Sequence, residues 1–234
     1  MFNKNVITVL KEINKVTDTV ILKYPVTVAV SSSMDVLVQC DISKLDSDVF
    51  EDVPLKDSLS EFISLFGLFS DDKSVSIEGN VVNISDDSTE SKYITANSAL
   101  MDFWDKDATP FEKTEAVASV ATFKLTVDDI KNIKSASGVF KDLTEVIFTS
   151  KDGDVKVSLG ATNKFNAKSN TYSVTKPANT SKEFEIKIPV ENFKMFSESN
   201  YTVDVKYNSA KDSYRILLNN ESLEGYKVLL TVKV

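Results

Sequence analysis

Catalysis by this sequence would have to use carboxylates, lysines or tyrosines, because the chain contains no histidine. Without histidine there is no Ser-His or Cys-His nucleophilic pair, and no histidine-based zinc or iron site. The single cysteine, Cys40, excludes an internal disulfide; it lies in an apolar, strand-like run and is interpreted as a buried structural thiol. These absences favour a protein that is not an enzyme.

Two acidic pairs, Asp71-Asp72 and Asp86-Asp87, are the remaining candidates for metal ligands. Neighbouring residues on one turn rarely converge on a single ion, and no glycine-rich ligand loop surrounds either pair. We interpret both pairs as surface turns and expect neither a metal nor a cofactor.

Lysines recur on one face of two predicted helices, and these helices begin two similar halves of the chain. The first spans about residues 3–16 and has an apolar stripe of helical period, made of Val6, Val9, Leu10 and Ile13. Opposite the stripe, within about 20° of one another, are Lys4, Lys11 and Lys15. The second helix has Thr126 as its predicted N-cap and carries Lys131 and Lys134 on its polar side. Its buried side is predicted to hold Val127, Ile130, Ile133 and Phe140, and Gly138 is predicted to end it. By itself such a lysine face is commonly just a solvated surface.

Each half continues with strand-like runs and a second short helix that follows a proline. Strands are predicted at 19–23, 26–31, 36–42, 49–53, 75–77, 81–84 and 92–95, and at 145–150, 155–159, 171–175, 184–188, 201–207, 213–218 and 226–232. Pro54 predicts entry into a helix with apolar residues over 55–66, and Pro189 predicts entry into a helix over 190–196. Repetition in this order is typical of modular or ring-forming architectures.

The chain divides by composition into two domains and a connector. Residues 97–120 lack a clear period and contain Pro110, so we expect an interdomain connector between an N-terminal domain of 1–96 and a C-terminal domain of 121–234. Residues 1–116 have a net charge of −11, and residues 117–234 a net charge of +3. Opposite charges at the two ends suit head-to-tail association, although chance asymmetry between two solvated surfaces gives the same counts.

Several ordered segments resemble the DNA polymerase sliding clamps of T4-like bacteriophages. They are Leu59-Ser-Glu-Phe-Ile-Ser-Leu-Phe-Gly-Leu-Phe-Ser-Asp-Asp, Gly79-Asn-Val-Val-Asn-Ile-Ser-Asp, Val117-Ala-Ser-Val, Thr149-Ser-Lys-Asp-Gly-Asp-Val-Lys-Val and Tyr172-Ser-Val-Thr. None is a chemical motif, but together they run over most of the chain in the family's order. One departure is Tyr93-Ile94, where the family would have a tyrosine and a second aromatic residue.

The resemblance implies an α+β fold of two tandem clamp domains, each with two antiparallel sheets backed by two helices. Three copies would close head to tail into a ring around duplex DNA, contacted without sequence preference, and the ring would tether the replicative polymerase after an ATP-dependent clamp loader had opened it. It leaves open whether the transcription machinery is a further partner. With no membrane-length apolar run and no signal-peptide core at the N-terminus, we expect a cytoplasmic protein, in the host cell if the chain is phage-encoded.

The resemblance also implies three sets of site residues. The DNA-facing set is Lys4, Lys11, Lys15, Lys131, Lys134, Lys141 and Lys194. The subunit interface would form by pairing of an edge strand at 91–95 with a strand at 171–176 of the next copy, through Lys92, Tyr93, Ile94, Tyr172 and Val174. The partner-peptide pocket would include Leu100, Met101, Phe103, Trp104 and Phe111.

Two other functions stay open at this point. A phage structural β-sandwich protein of the tail or baseplate would explain the strands and the oligomerisation, but not the two lysine-bearing helices. A carboxylate-based enzyme is the other, and the sequence offers no pocket signature for it.

Overall fold

The structure is a computed structural model that describes residues 2–45, 48–161 and 171–232. Internal contacts divide the chain into two units. Unit 1 consists of Met1–Pro110 and Leu223–Tyr226, and unit 2 consists of Phe111–Ser222 and Lys227–Val234.

Unit 1 combines two α-helices with short antiparallel strands. Its elements are α1 (Lys4–Asn14), β1 (Val20–Leu22), β2 (Val26–Val30), β3 (Val36–Asp41), a 3-10 turn (Ile42–Leu45), β4 (Val53–Leu55), α2 (Leu59–Phe66), β5 (Ser74–Glu78), β6 (Val81–Ser85), β7 (Glu90–Ile94) and a second 3-10 turn (Ser98–Leu100). Strand β1 pairs with β4 and β2 with β3, while β5, β6 and β7 form a three-stranded sheet in that order.

Helix α1 forms as the period predicts, and it packs against α2. Asn3 caps its first turn by accepting a hydrogen bond from the backbone N–H of Val6 (3.0 Å). The four residues of the predicted apolar stripe are all buried, and each such side chain contributes roughly 1.5–3 kcal/mol when fully buried. Beneath the helices, Phe62 contacts Phe66 at a centroid distance of 4.9 Å and Phe2 at 5.5 Å. The burial of the stripe therefore fixes which face of α1 is turned outward.

The predicted strand at 49–53 and the predicted helix entry at Pro54 are both wrong. Residues 48–52 are irregular, and Pro54 lies inside β4, where it pairs opposite Ile21 of β1. A proline is compatible with such a short ladder because no neighbour on its other side requires its N–H. Helix α2 begins later because Asp18 satisfies its N-terminus: the carboxylate accepts from the N–H of Ser60 (2.6 Å) and the backbone carbonyl from that of Leu59 (3.1 Å).

Unit 2 contains a larger set of antiparallel strands. In chain order the elements are α3 (Thr109–Glu115), which spans the division between the units, β8 (Ser119–Leu125), α4 (Val127–Val139), β9 (Glu145–Lys151), β10 (Asp154–Gly160), β11 (Ser173–Pro177), β12 (Asn179–Thr180), β13 (Phe184–Pro189), α5 (Val190–Lys194), β14 (Tyr201–Asn208), β15 (Ser213–Asn220) and β16 (Tyr226–Thr231). One sheet has the order β11-β10-β9-β13, and the strands β12-β8-β14-β15-β16 follow one another in a second.

Helix α4 starts where its sequence predicts and ends later. Thr126 is the N-cap, and its hydroxyl accepts from the N–H of Asp129 while the Asp129 carboxylate accepts from the N–H of Thr126, which completes a capping box. Gly138 does not end the helix, which runs to Val139 and closes with a bond from the N–H of Phe140 to the carbonyl of Ala136 (2.8 Å). Ile130 and Ile133 are buried as predicted, whereas Val127 and Phe140 lie at the two ends of the helix and are only half-buried.

Two elements lie in the region where no regular structure is predicted. Helix α3 carries Pro110 in its first turn, where the missing N–H would have had no helical partner. Strand β8 alternates buried and less buried residues and turns Ala121, Phe123 and Leu125 inward.

The end of α3 is fastened to strands of unit 2 by three polar contacts. The guanidinium of Arg215, the only arginine, donates to the hydroxyl of Thr114 (2.8 Å). Nζ of Lys206 donates to the carbonyl of Val117 (2.7 Å), and Lys227 pairs with Glu115. The only guanidinium group of the chain, that of Arg215, is therefore engaged in an internal contact.

Candidate functional site

Three exposed lysines follow one face of α1 in unit 1. Lys4, Lys11 and the C-cap residue Lys15 are all exposed, on the side of the helix opposite its buried stripe. Lys15 is paired with Glu12 at 2.6 Å, whereas Lys4 and Lys11 form no ion pair with any residue in the described part of the chain. Helix α2, which packs beside α1, has no lysine, so α1 alone supplies the cationic helical face of this unit.

Four further predicted lysines lie on or beside the helices of unit 2. Lys131 is exposed on α4, and Lys141 is exposed in the turn after it. Lys134 is half-buried, because its ammonium donates to the carbonyl of Phe196. Lys194 ends α5 and pairs with Glu191 at 2.8 Å. Lys131 and Lys141 are therefore the two unit 2 lysines of this set whose charge is most available to a ligand.

Strand β7 is an open edge of the three-stranded sheet in unit 1. The N–H of Thr95 donates to the backbone carbonyl of Asn80 (2.8 Å), and the carbonyl of Thr89 accepts from the backbone N–H of Asp86 (2.9 Å). By the alternation of an antiparallel ladder, the N–H and C=O groups of Glu90, Lys92 and Ile94 point away from β6. The side chain of Ile94 is 72% exposed, so this edge presents both backbone groups and an apolar side chain.

Strand β11 is the corresponding open edge in unit 2. The backbone carbonyl of Tyr172 accepts from the N–H of Leu159 (3.0 Å), and the N–H of Ala178 donates to the carbonyl of Gly153 (3.2 Å). The outward-pointing backbone groups are therefore those of Ser173, Thr175 and Pro177. Because Pro177 has no N–H, a strand added here meets two outward donors and then a stop. The side chain of Val174, which the sequence assigns to the subunit interface, is half-buried.

Each of these edges is tied to a helix of its own unit. Tyr93 on β7 packs on Phe62 of α2 at 5.3 Å, and its hydroxyl donates to the carbonyl of Ser58 (3.4 Å); burial raises the pKa of this phenol. On β11, Lys176 pairs with Asp129 of α4. Partial burial by itself raises the pKa of Asp129, but hydrogen bonds from Lys176 and Thr126 outweigh that effect and hold the pKa below its usual value. The pairing of Asp129 with Lys176 is not predicted from the sequence, since the two residues lie far apart along it.

The residues predicted to form a partner pocket separate into two groups. Leu100 is 70% exposed, Phe103 is 44% exposed and contacts Trp104 edge to face at 4.9 Å, and Trp104 is half-buried. Met101 and Phe111 are buried in the protein core, so a partner has no direct access to them. Leu100, Phe103 and Trp104, all in unit 1, are called the exposed aromatic patch below.

Asp86 and Cys40, two of the residues with catalytic or metal-binding potential, lie in structural surroundings. Among the described residues, no three His, Cys, Asp or Glu side chains come together as a metal site. Asp86 accepts from the backbone N–H groups of Ser70, Ser88 and Thr89, and these bonds lower the pKa of its carboxyl. Burial raises the pKa of the Cys40 thiol to about 12, so the thiolate is not formed at neutral pH. No helix in the described part of the chain is long and apolar enough to span a membrane.

Comparison with known proteins gives matches at the level of structure. No protein-family model matches the sequence, and no curated protein matches it significantly. The proliferating cellular nuclear antigen of Entamoeba histolytica aligns over 97% of this chain and 94% of its own, with a TM-score of 0.67 and 10% identity. That of A. fulgidus, solved with the C-terminal region of FEN-1 bound, aligns over 97% and 94%, with a TM-score of 0.66 and 14% identity.

A bacterial protein with a longer chain gives the same result. The Helicobacter pylori beta clamp, solved with a DNA ligase peptide bound, aligns over 99% of this chain and 64% of its own, with a TM-score of 0.62 and 11% identity. Identities this low carry information about the fold alone. The predicted fold is confirmed: this chain has the sliding-clamp fold.

Proposed function

We propose that this protein is a DNA polymerase sliding clamp of the kind found in T4-like bacteriophages. Three copies close head to tail around duplex DNA and tether the replicative polymerase, with no catalysis by the clamp itself. The observation that supports this most strongly is the sliding-clamp fold, which covers 97% of the chain in the comparison with the Entamoeba histolytica protein. In this proposal residues 1–96 and 121–234 are the two clamp domains, and residues 97–120 connect them.

The lysine-bearing helices α1 and α4 provide the DNA-facing surface. Lysine attracts phosphates without the bidentate geometry that reads guanine, and the only arginine, Arg215, is bound to Thr114. Of the seven predicted lysines, we give the main role to Lys4, Lys11, Lys131 and Lys141, because Lys15 and Lys194 are paired with glutamates and Lys134 with a carbonyl. Few phosphate contacts imply weak binding, which added salt weakens further because the contacts are ionic, so closure of the ring would hold the clamp on DNA.

The ring closes by pairing of two open edges. Strand β7 of one copy pairs with β11 of the next, and we call this contact the seam. Glu90, Lys92 and Ile94 offer backbone groups on one side, and Ser173 and Thr175 on the other. Since β7 belongs to the half with net charge −11 and β11 to the half with net charge +3, unlike surfaces meet at each seam.

The exposed aromatic patch is the proposed binding site for partner peptides. One structural neighbour was solved with the C-terminal region of FEN-1 bound and another with a DNA ligase peptide bound, which supports binding of a partner peptide here as well. Aromatic residues dominate such contacts. The polymerase and the ATP-dependent clamp loader are the expected partners.

The test is primer extension by the cognate polymerase on primed circular DNA, with the clamp loader and ATP present. We expect longer products when this protein is added and no gain when ATP is omitted. On short linear DNA with free ends the gain should disappear, since a ring slides off. Equal product lengths with and without the protein would refute the proposal, as would a strictly monomeric mass at high concentration.

A further inference from the structure

One carboxylate oxygen joins the start of α4 to the edge strand β11. Oδ2 of Asp129 accepts from the backbone N–H of Thr126 (2.8 Å) and from its hydroxyl (2.7 Å). The same oxygen pairs with Nζ of Lys176. The side chains are only 12% exposed for Asp129 and 19% for Lys176. Because both charges are largely withdrawn from water, removing either one leaves the other poorly compensated.

The two ends of this ion pair belong to different parts of the proposed clamp. Lys176 lies on β11, which is hydrogen-bonded to β10 on one side and is proposed to receive the next copy on the other. Asp129 lies in the first turn of α4, two residues before Lys131. The phenol of Tyr172, at the beginning of the same edge, has its pKa raised by burial and by the charge of Asp129.

We propose that Asp129 and Lys176 are positioning residues that hold the seam strand β11 in a fixed position against the DNA-facing helix α4. The inference rests on the proposed function. An edge strand with a neighbour on one side can change its twist, and its outward N–H and C=O groups then miss a partner strand. Fixing Lys176 to a capped helix terminus removes that freedom, so the ion pair keeps β11 ready for pairing.

The unit 1 edge shows a different solution to the same requirement. There Tyr93 ties β7 to α2 through ring packing and one neutral hydrogen bond. The tie in unit 2 is ionic, so it can be broken and restored by substitutions that change charge and little else. This difference makes the role of Lys176 separable from general packing.

The experiment measures self-association by analytical ultracentrifugation for wild type, Lys176→Met, Lys176→Arg, Asp129→Asn and the Asp129→Asn/Lys176→Met double variant. Lys124→Met is the matched control, because Lys124 lies on β8 and not on the seam strand, is exposed, and pairs with Glu221 at 2.8 Å. Thermal unfolding of each variant is recorded, and association is measured where all are folded.

We expect Lys176→Met to raise the dissociation constant for self-association about tenfold, and Lys124→Met to leave it within about twofold of wild type. Lys176→Arg should associate about as tightly as wild type, because arginine keeps the charge. The double variant should be no weaker than Lys176→Met, because the two residues act through one contact. A lowered melting temperature with unchanged association for Lys176→Met would overturn the inference alone. Absence of self-association by the wild type would overturn the proposed function as well.

Discussion

Ile94 is the residue at which the proposed seam can be weakened with least effect on the fold of the single chain. Its side chain is 72% exposed at the end of β7, and its backbone groups point away from β6. Ile94→Ala keeps these backbone groups and removes three carbon atoms that the chain itself hardly buries. We therefore expect weaker self-association together with nearly unchanged thermal unfolding.

The exposed fraction of Ile94 sets the size of the effect. Each buried methylene contributes about 0.8 kcal/mol, so three carbons contribute about 2.4 kcal/mol when fully transferred from water. If pairing with a second strand covers between half and all of the 72% now exposed, the loss is about 0.9–1.7 kcal/mol for each seam. The dissociation constant should then rise roughly 4- to 20-fold.

The assay is sedimentation equilibrium over a range of concentrations, with Leu68→Ala as the matched control. Leu68 is also 72% exposed but lies just after α2, outside any strand. Association should weaken for Ile94→Ala and stay unchanged for Leu68→Ala. Equal dissociation constants for wild type and Ile94→Ala would refute the seam, and equal weakening by both variants would mean that a different apolar surface drives association.

Further variants at three places test the DNA-facing lysines, the exposed aromatic patch and the Asp129 ion pair. Lys11→Glu combined with Lys131→Glu should leave the self-association intact and weaken DNA loading, and the slope of log affinity against log salt concentration should fall by roughly 0.9 for each phosphate that the variant no longer neutralises; an unchanged slope would contradict the DNA-facing assignment. Trp104→Ala should abolish most of the gain in product length without changing mass, as a primer-extension assay can measure, and Trp104→Phe should retain part of it. Asp129→Asn should destabilise the fold at neutral pH, and its difference from wild type should begin to shrink as the pH falls below about 4, the ordinary Asp pKa, and vanish only below the depressed pKa of the folded state; thermal unfolding measured from about pH 7 down to about pH 2 tests this.

A charge-matched control accompanies the lysine variants. Lys156→Glu combined with Lys211→Glu changes the net charge by the same amount at exposed positions on neither α1 nor α4. This control should leave DNA loading close to wild type. If it weakens loading as much as the test variant does, the effect comes from net charge and not from the helical faces.

Local patterns in the sequence were sufficient where one side of an element is buried. The stripe of Val6, Val9, Leu10 and Ile13 defines α1 because helical geometry and burial agree there, and Thr126 acts as the predicted N-cap. Strand β8 is not predicted, although the alternation of apolar and polar residues along 121–125 is typical of a strand with one buried face. Helix α3 also carried one, since a proline near the first helical position is a recognised start signal.

Tertiary pairing decides the features that local patterns did not predict. Pro54 is in a strand because Ile21 of β1 lies opposite it, and not in a helix as proline at an entry point would favour. By residue type, Met101 and Phe111 cannot be distinguished from Leu100 and Phe103. Only the packed structure shows that the first pair is buried and the second exposed. The same holds for Asp129 and Lys176, whose contact depends on how β11 lies against α4.

The two open edges also bear on how the chain behaves before it assembles. An exposed strand edge with an apolar side chain such as Ile94 is a template for indiscriminate pairing and aggregation. Charged side chains at Glu90 and Lys92 on one edge, and Pro177 on the other, are the residue types that limit such pairing. A newly made chain at low concentration is thus expected to stay soluble while its edges remain open. Each edge should then pair only with a strand of opposite charge and similar length.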